Sequence, residues 1–270
     1  HSYTFSPLGN LQSRTDHRLG VTQSFCYDNM NRLVDAGFAG CSASAGTYQY
    51  NALGNITHRA GQGAYTYGEA QPHGAAGPNA VTTVGSATYT YDEAGNLEAV
   101  SEGGNPTKTV AWSAFNKPTT MTHEGYSSTI VYGPHKQRIK RIDSSGRTTH
   151  YLLGRYEETT QNGTIEKVHY LGDYALYVET VDASSPSTLL HSEMIYQHRD
   201  HIGSLVARTQ GVYSLLSTEY LANDPWGERR KARWDGQLEG NDYEPKHTAR
   251  GFTDHEHLDE VGLIHMNGRV

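Results

Sequence analysis

Two polar segments near the end of the chain contain the residue types that most often do chemistry. The first is Asp254-His255-Glu256-His257, closely followed by Asp259 and Glu260. Imidazole and carboxylate ligands suit zinc or manganese. The spacing matches no helical zinc signature, although on a strand His255 and His257 would share one face. We therefore expect a hydrogen-bonded structural cluster, with no metal and no cofactor.

The second segment is His198-Arg-Asp-His201, in which His198, Asp200 and His201 could supply a general base and the group that orients it. No serine or cysteine in a recognisable nucleophile context accompanies them. Ser204 follows a glycine at a predicted strand start. The sequence therefore predicts no catalytic residue, and a structural role is favoured over an enzymatic one.

These segments follow a repeated seven-residue pattern, here called the turn motif. It consists of an aromatic residue, Asp, Asn or Ser, two variable positions, Gly or Asn, a polar residue and an aliphatic residue. The five copies are Phe5–Leu11, Tyr27–Leu33, Tyr50–Ile56, Tyr91–Leu97 and Phe115–Met121, with degenerate copies starting at Tyr67 and Tyr132. A repeat with steps of about twenty residues leaves room for one hairpin per repeat.

Each position of the turn motif has a physical reason. The aromatic residue closes one strand, the Asp, Asn or Ser side chain accepts from backbone amides, and Gly or Asn takes the left-handed conformation of a short hairpin loop. The predicted structural turn residues are Tyr27, Asp28, Tyr50, Gly54, Asn55, Tyr91, Asp92, Gly95 and Asn96. A further turn is predicted at Asp224, Pro225, Trp226 and Gly227, because proline pre-sets its dihedral angle and glycine closes the turn.

The composition favours an all-β array of antiparallel hairpins. Apolar residues make up only 36%, while 29 glycines and 19 tyrosines are present. Tyrosine suits a sheet whose two faces are both partly wet. Alternating segments such as 87–91 and 129–132 predict strands, and Asn162-Gly163 predicts a tight hairpin. We expect a broad one-layer sheet.

Two regions are predicted along the chain: residues 1–190 as the hairpin array and residues 191–270 as a terminal segment of different character. Within them the sequence predicts several finer features. They are a Gly, Pro and Ala-rich loop over 68–80, a break at 184–187, a strand over 212–220, a charged segment over 230–246 and a short helix within 254–261.

The net charge of −7 and the scattered basic residues argue against nucleic-acid binding. No window approaches the roughly 18 apolar residues of a membrane span, and no charged-then-apolar leader opens the sequence. Any export signal is therefore expected elsewhere. Cys26 and Cys41 are the only cysteines. They could form a disulfide worth about 3 kcal/mol or remain free, and the sequence leaves both open.

With these motifs in view, the chain resembles the Rhs/YD-repeat family, which includes bacterial polymorphic toxins, the C components of Tc toxin complexes and animal teneurins. The turn motif carries part of this resemblance. The more specific part is a terminal block of three motifs: His198–Leu205, Asp224–Gly227 and Arg250–Arg269. Together the motifs cover nearly the whole chain.

The resemblance implies a β-sheet strip that spirals into a shell around a C-terminal toxin domain, secreted or associated with the cell envelope of a bacterium. The expected partners are the remainder of the parent chain and the enclosed toxin. The family's self-cleaving segment usually follows the point at which this sequence ends, so we expect no self-cleavage. Position 254 is Asp where the family usually has Gly. The alternative is a carbohydrate-binding or polysaccharide-processing envelope protein.

Overall fold

The computed structural model describes residues 1–41, 47–68, 76–212, 215–232, 234 and 247–266. It is all-β, as predicted, and contains no α-helix among these residues. Two short 3-10 helices, Phe252–Asp254 and Asp259–Val261, are the helical elements described. No helix in the described part of the chain has the length and apolar character that crossing a membrane would require.

The chain divides into two compact units, His1–Thr107 and Lys108–Val270. The strands of the first unit are β1 (Ser2–Phe5), β2 (Leu11–Asp16), β3 (Val21–Ser24), β4 (Cys26–Tyr27), β5 (Leu33–Asp35), β6 (Tyr48–Tyr50), β7 (Ile56–Arg59), β8 (Gly63–Tyr67), β9 (Val81–Val84), β10 (Ala87–Tyr91) and β11 (Leu97–Glu102). The predicted division at 190/191 rests on motif character and stays a prediction.

The boundary between the units falls inside β12 (Asn105–Trp112), most of which lies in the second. The following strands are β13 (Pro118–His123), β14 (Tyr126–Tyr132), β15 (Arg138–Asp143), β16 (Thr148–Leu152), β17 (Tyr156–Gln161), β18 (Thr164–Leu171), β19 (Ala175–Asp182), β20 (Ser185–Arg199), β21 (Leu205–Val212), β22 (Leu215–Tyr220), β23 (Ala222–Asn223), β24 (Arg229–Arg230), β25 (Glu256–Leu258) and β26 (Leu263–His265).

Each strand pairs with its sequence neighbour in antiparallel fashion. In the first unit β1, β2 and β3 form one sheet, β4 pairs with β5, and β6 to β11 pair in order. In the second, β12 to β22 pair in order, and β23–β24 and β25–β26 form separate hairpins. The array of hairpins predicted from the turn motif is therefore confirmed.

The turns share one geometry, which the loop around Asp28 illustrates. Its N–H donates to the Arg32 carbonyl at 2.9 Å, and the Asn31 N–H donates back to the Asp28 carbonyl at 3.0 Å. Asn31 is left-handed, with φ 59°. The equivalent left-handed residues of the other turns are Gly9, Gly54, Gly95, Asn116, Lys136, Gly203 and Gly227. In most of these hairpins the register shifts near the last residue of the incoming strand, as a bulge.

The frame predicted for the fifth copy is wrong. Phe115 does not close a strand, because β12 ends at Trp112 and Phe115 lies exposed in the turn. Ser113 Oγ accepts from the Lys117 N–H at 3.0 Å, and Asn116 is the left-handed residue. The copy is therefore Trp112–Pro118, with tryptophan as the aromatic residue.

Tyrosine hydroxyls join successive hairpins. The hydroxyl of Tyr50 donates to the Leu33 carbonyl at 2.6 Å, and that of Tyr91 donates to the Val81 carbonyl at 2.6 Å. Tyr67 and Tyr132 do the same to Ile56 and Pro118, at 2.7 and 2.8 Å. In each case the accepting carbonyl belongs to the first residue of a strand in the preceding hairpin. We call this hydrogen bond a tyrosine clamp. Because it needs a hydroxyl group, it explains a preference for Tyr over Phe in the motif.

Three finer predictions need correction. The predicted break at 184–187 falls in the long strand β20, which starts at Ser185 and carries Pro186 at its exposed beginning. The predicted strand over 212–220 is two strands, because β21 ends at Val212 and β22 starts at Leu215. The helix predicted within 254–261 is a 3-10 turn followed by β25 and a second 3-10 turn.

Several predicted features lie outside the described residues: most of the 68–80 loop, most of the 230–246 segment and the last three residues of the terminal block. In the second unit, two apolar clusters hold the sheet. One joins Met121 of β13 to Leu258 and Val261 of the terminal block. The other lies on β18, β19 and β20 around Leu176 and Val178. The first cluster fixes the terminal block on the hairpin strands.

Candidate functional site

The predicted turn residues lie at hairpin tips. Asp28 Oδ1 accepts from the N–H groups of Met30 and Arg32, both at 2.9 Å. Asp92 accepts from Ala94 and Asn96, at 2.9 and 2.8 Å. Four backbone and side-chain donors lower the pKa of Asp92 against the opposing effect of its partial burial. Among the other predicted turn residues, Tyr27, Tyr50 and Tyr91 end the incoming strands, Gly54 and Gly95 are left-handed, and Asn55 and Asn96 stand one residue before the returning strands.

The first histidine-rich segment, His198–His201, lies in a turn and does not form a catalytic site. Asp200 Oδ1 accepts from the N–H groups of Ile202 and Ser204, at 3.1 and 2.7 Å, as an ordinary turn aspartate. His198 contacts Thr209 Oγ1 at 2.9 Å, and His201 is exposed at the tip. The structure does not join these three residues into a base and its orienter.

Asp224 builds the next turn in the same way. Its Oδ1 accepts from the N–H groups of Trp226 and Glu228 at 2.8 and 2.9 Å, and Pro225 directly follows Asp224. Gly227 has φ 92°, and a side chain there would meet Phe252 and Ile264 at 2.8 Å. This turn therefore needs glycine for both its conformation and its close packing against the terminal block.

The residue group with the most unusual electrostatics is a charge cluster formed where the terminal block meets the hairpin strands. Its members are Arg138, Arg141, Asp143, Tyr151, Glu157, Tyr170, Arg250 and Glu256. Most come from β15, β16, β17 and β18, while Arg250 and Glu256 come from the terminal block. The cluster therefore connects residues more than a hundred positions apart.

Glu256 is the centre of the charge cluster. Arg138 Nη2 donates to its Oε2, while Arg141 Nη1 and the Tyr151 hydroxyl each donate to its Oε1 at 3.1 Å. Burial alone would raise the pKa of Glu256, but the charges of Arg138 and Arg141 outweigh it and lower this pKa to about 2. Glu256 is thus held ionised, with both oxygens occupied.

Arg141 is shared between two carboxylates. Its Nε and Nη2 donate to Asp143 Oδ1 and Oδ2 at 2.8 and 2.9 Å, and its side chain is only 3% exposed. Arg141 and Asp143 stand two residues apart on β15, so they share one face of the sheet. This bidentate pair orients the guanidinium that receives Glu256.

A second carboxylate, Glu157, behaves in the opposite way. Burial raises its pKa, with the nearby charge of Glu256 adding to the effect, against the lowering influence of Arg250 and Tyr170. The Tyr170 hydroxyl donates to Glu157 Oε1 at 2.9 Å, and Arg250 Nη2 lies 3.6 Å from the same oxygen. Two carboxylates in one cluster therefore have pKa values moved in opposite directions.

His257 and His265 of the terminal block are held neutral. Burial lowers the pKa of His257 to about 3, helped by the charge of Arg229, and lowers that of His265 to about 4, helped by Arg138. His257 Nε2 accepts from the Phe252 N–H at 2.9 Å. A side chain at Gly251 would lie 2.7 Å from this ring nitrogen, so glycine allows His257 to approach the backbone.

His255 does not share a site with His257. Its Nδ1 contacts Thr253 Oγ1 at 2.8 Å. Within the described ranges, no group of three His, Cys, Asp or Glu side chains is placed to hold a metal ion. Asp254 has φ 62°, a conformation that favours glycine, and its carboxylate pairs with Arg199 at 2.8 Å.

Most members of the charge cluster were missed by sequence reasoning. Glu256 was singled out only as one residue of a polar run, and its arginine partners lie on strands between turn motifs. One signal was present: Arg138-Ile-Lys-Arg-Ile-Asp143 places Arg141 and Asp143 on one face of a predicted strand. Chemically, the cluster pairs arginines with carboxylates from distant segments, which suits the attachment of one segment to another better than catalysis.

The two cysteines are joined. Cys26 and Cys41 form a disulfide across 15 residues, with their Cα atoms 5.7 Å apart. This settles the alternative that the sequence left open.

Comparisons with known proteins give structural neighbours only. No family model matches the chain, and no curated protein matches it. Among solved structures, "Crystal Structure of TcdB2-TccC3-Cdc42" is 15% identical with a TM-score of 0.43 and covers 98% of this chain and 17% of that chain. "Crystal Structure of TcdB2-TccC3" is 15% identical with a TM-score of 0.41, covering 97% and 17%.

A third neighbour is the "Structure of Photorhabdus luminescens Tc holotoxin pore, Mutation TccC3-D651A". It is 14% identical with a TM-score of 0.35, and it covers 85% of this chain and 15% of that chain. The chain thus spans less than a fifth of the chains that it matches. At this identity and TM-score, the likeness says nothing of activity or partners.

Proposed function

We propose that this chain is a structural segment of an Rhs-type toxin shell, which encloses and delivers a C-terminal toxin domain. The turn motif and the terminal block support this proposal, because together they resemble that family over nearly the whole chain. Its partners are then the remainder of its parent chain and the enclosed toxin, in a bacterial protein that is secreted or associated with the envelope.

The observation that carries the proposal is the attachment of the terminal block to the hairpin strands. Glu256 binds Arg138 and Arg141, and Leu258 and Val261 pack against the apolar cluster of Met121. A shell must fix the end of its own wall so that the following domain has a defined starting point. A polar and apolar attachment of this kind provides such a fixed end.

Protease protection tests the proposal. In the full-length gene product, a small reporter enzyme replaces the C-terminal domain, and the matched control joins the same reporter directly to residues 1–270. We expect protease to spare the reporter in the first protein and degrade it in the second. Equal degradation, with circular dichroism showing both proteins folded, would contradict an enclosing shell.

The second candidate function is carbohydrate binding on the cell envelope. It is favoured by a polar cavity whose wall includes part of the charge cluster, together with further lysine, tyrosine and acidic side chains. A glycan array, read for both binding and depolymerisation, separates the two functions. Binding to a glycan together with an unprotected reporter would favour the carbohydrate-binding candidate.

A further inference from the structure

The turn between β14 and β15 departs from the turn motif at the positions that matter most. Gly133 stands where other turns carry Asp, Asn or Ser, and Gln137 Oε1 takes over their role by accepting from the His135 N–H at 3.0 Å. Lys136 is left-handed, with φ 61°, where other turns have Gly or Asn. A lysine in this conformation is strained relative to glycine, because its Cβ approaches the following carbonyl oxygen.

Two of the residues that depart from the turn motif line a cavity of about 370 Å³ in the second unit. Lys136 and Gln137 face it from this turn, and Lys117 faces it from the preceding turn on the same side of the sheet. The volume lies at the lower end of the roughly 300–1,000 Å³ typical of small-molecule sites. The strained residue of the turn is therefore also a wall of a ligand-sized cavity.

The charges around the cavity favour an anion. Its carboxylates already have cationic partners: Glu256 pairs with arginines of β15, Asp254 pairs with Arg199, and Glu157 lies beside Arg250. Lys136 adds a further positive charge to the wall. Arg138 Nη1 is shielded from water and has no hydrogen-bond partner in the described part of the chain.

The remaining walls suit hydroxyl groups. Gln137 offers an amide group and Glu157 a carboxyl group, and both can hydrogen-bond the hydroxyls of a ligand. Tyr132 adds a half-buried aromatic side chain. A bare inorganic anion would leave most of this space and these groups unused.

We propose that this cavity binds a sugar acid, with the carboxylate of a hexuronic acid held by Lys136 and its hydroxyls by Gln137 and Glu157. This names the site and the sugar class for the second candidate function, on which it rests, and it does not depend on the shell. In this proposal, the contact of the Lys136 ammonium group with the ligand explains why a lysine occupies a left-handed position.

Calorimetric titration of the intact protein tests the proposal with glucuronate and galacturonate, and with glucose and inorganic phosphate as comparison ligands. The informative variant is Lys136→Gly, because glycine relieves the turn and should leave folding intact. The matched control is Lys140→Gln, which removes one charge from the neighbouring strand outside the cavity. A thermal melt of each variant accompanies the titrations.

We expect saturable uronate binding that weakens with salt, at least tenfold weaker binding of glucose and phosphate, and a loss of at least tenfold in Lys136→Gly without a lower melting temperature. Lys140→Gln should bind as the wild type does. No saturation at about 10 mM uronate would overturn the site, whereas the glycan array tests the carbohydrate function separately. Binding that survives Lys136→Gly would overturn this site alone, and equal binding of phosphate or glucose would overturn the sugar-acid assignment.

Discussion

The two units of the chain are built from the same turn motif but are stabilised in different ways. In His1–Thr107, the buried apolar side chains among the described residues are Phe25, Tyr48 and Ala87, and the Cys26–Cys41 disulfide lies in this unit. In Lys108–Val270, fully buried side chains such as Met121 and Leu176 form apolar clusters, and arginines and carboxylates pair beneath the terminal block.

The turn motif determines the hairpins but not the core that stabilises them. The motif specifies a hairpin through contacts within about ten residues, so it operates equally in both units. It does not by itself supply a core, because alternating strands leave both faces partly wet. In the second unit, the terminal block covers part of one face and supplies the long-range contacts. The first unit depends on local hydrogen bonds and a covalent link.

The largest expected effect comes from breaking the attachment of the terminal block. Glu256→Ala leaves Arg138 and Arg141 without their shared carboxylate, and removing one partner of such a shielded pair costs about 3–5 kcal/mol. The matched control is Glu260→Ala, because Glu260 lies 3.6 Å from Arg141 but its side chain is 34% exposed. Urea unfolding of the second unit should show a loss below about 1 kcal/mol for this control. Equal losses in both variants would contradict the central role of Glu256.

The next effect is acid lability of the second unit. His257 and His265 have folded pKa values of about 3 and 4, below the ordinary value near 6.5. The unfolded chain therefore binds more protons in this window, and the free energy of unfolding falls as pH decreases from 6.5 toward 3, by an amount on the order of a few kcal/mol. Glu256 adds to the loss between pH 4.5 and 2, whereas Glu157, with its raised pKa, acts in the opposite direction.

Urea unfolding across this pH range measures how steeply the free energy of unfolding changes with pH. His257→Gln should make this dependence weaker, while His150→Gln, at an exposed position, should leave it unchanged. A wild-type stability that is constant from pH 6.5 to 4 would show that these histidines are not held neutral by the fold.

The disulfide should matter to the first unit only. Replacing both Cys26 and Cys41 by serine should cost about 3 kcal/mol, since the 15-residue link no longer restricts the unfolded chain. Calorimetry of the variant, and of the wild type with and without reductant, measures the effect. Loss of the disulfide should lower the melting temperature of the first unit and leave that of the second unchanged. A shift confined to the second unit would contradict the comparison.

Removing one tyrosine hydroxyl should have the smallest effect on stability, and the loss should be the same in both units. Tyr91→Phe and Tyr132→Phe each remove one tyrosine clamp and should each cost about 1 kcal/mol, the usual net value of such a hydrogen bond. Tyr174→Phe, at an exposed turn position, is the control and should be neutral. A much larger loss in one unit would show that the motif is not used equivalently.

Local features were predictable from the sequence, and long-range ones were not. The turns around Asp28, Asp92 and Asp224 follow from residue types a few positions apart, which is why the hairpin array could be predicted. The error at Phe115 arose because tryptophan can also fill the aromatic position. The charge cluster escaped because the pairing of Glu256 with Arg141 spans 115 residues and depends on how the terminal block folds back.

Hydrogen exchange of the terminal block tests most directly whether it is fixed to the hairpin strands. We expect the amides of β25, residues 256–258, to exchange as slowly as those of β14 and β15 in the wild type. In Glu256→Ala they should exchange much faster while β18 and β19 stay protected. Fast exchange of β25 in the wild type, with the hairpin strands protected, would show that the terminal block is not fixed to them.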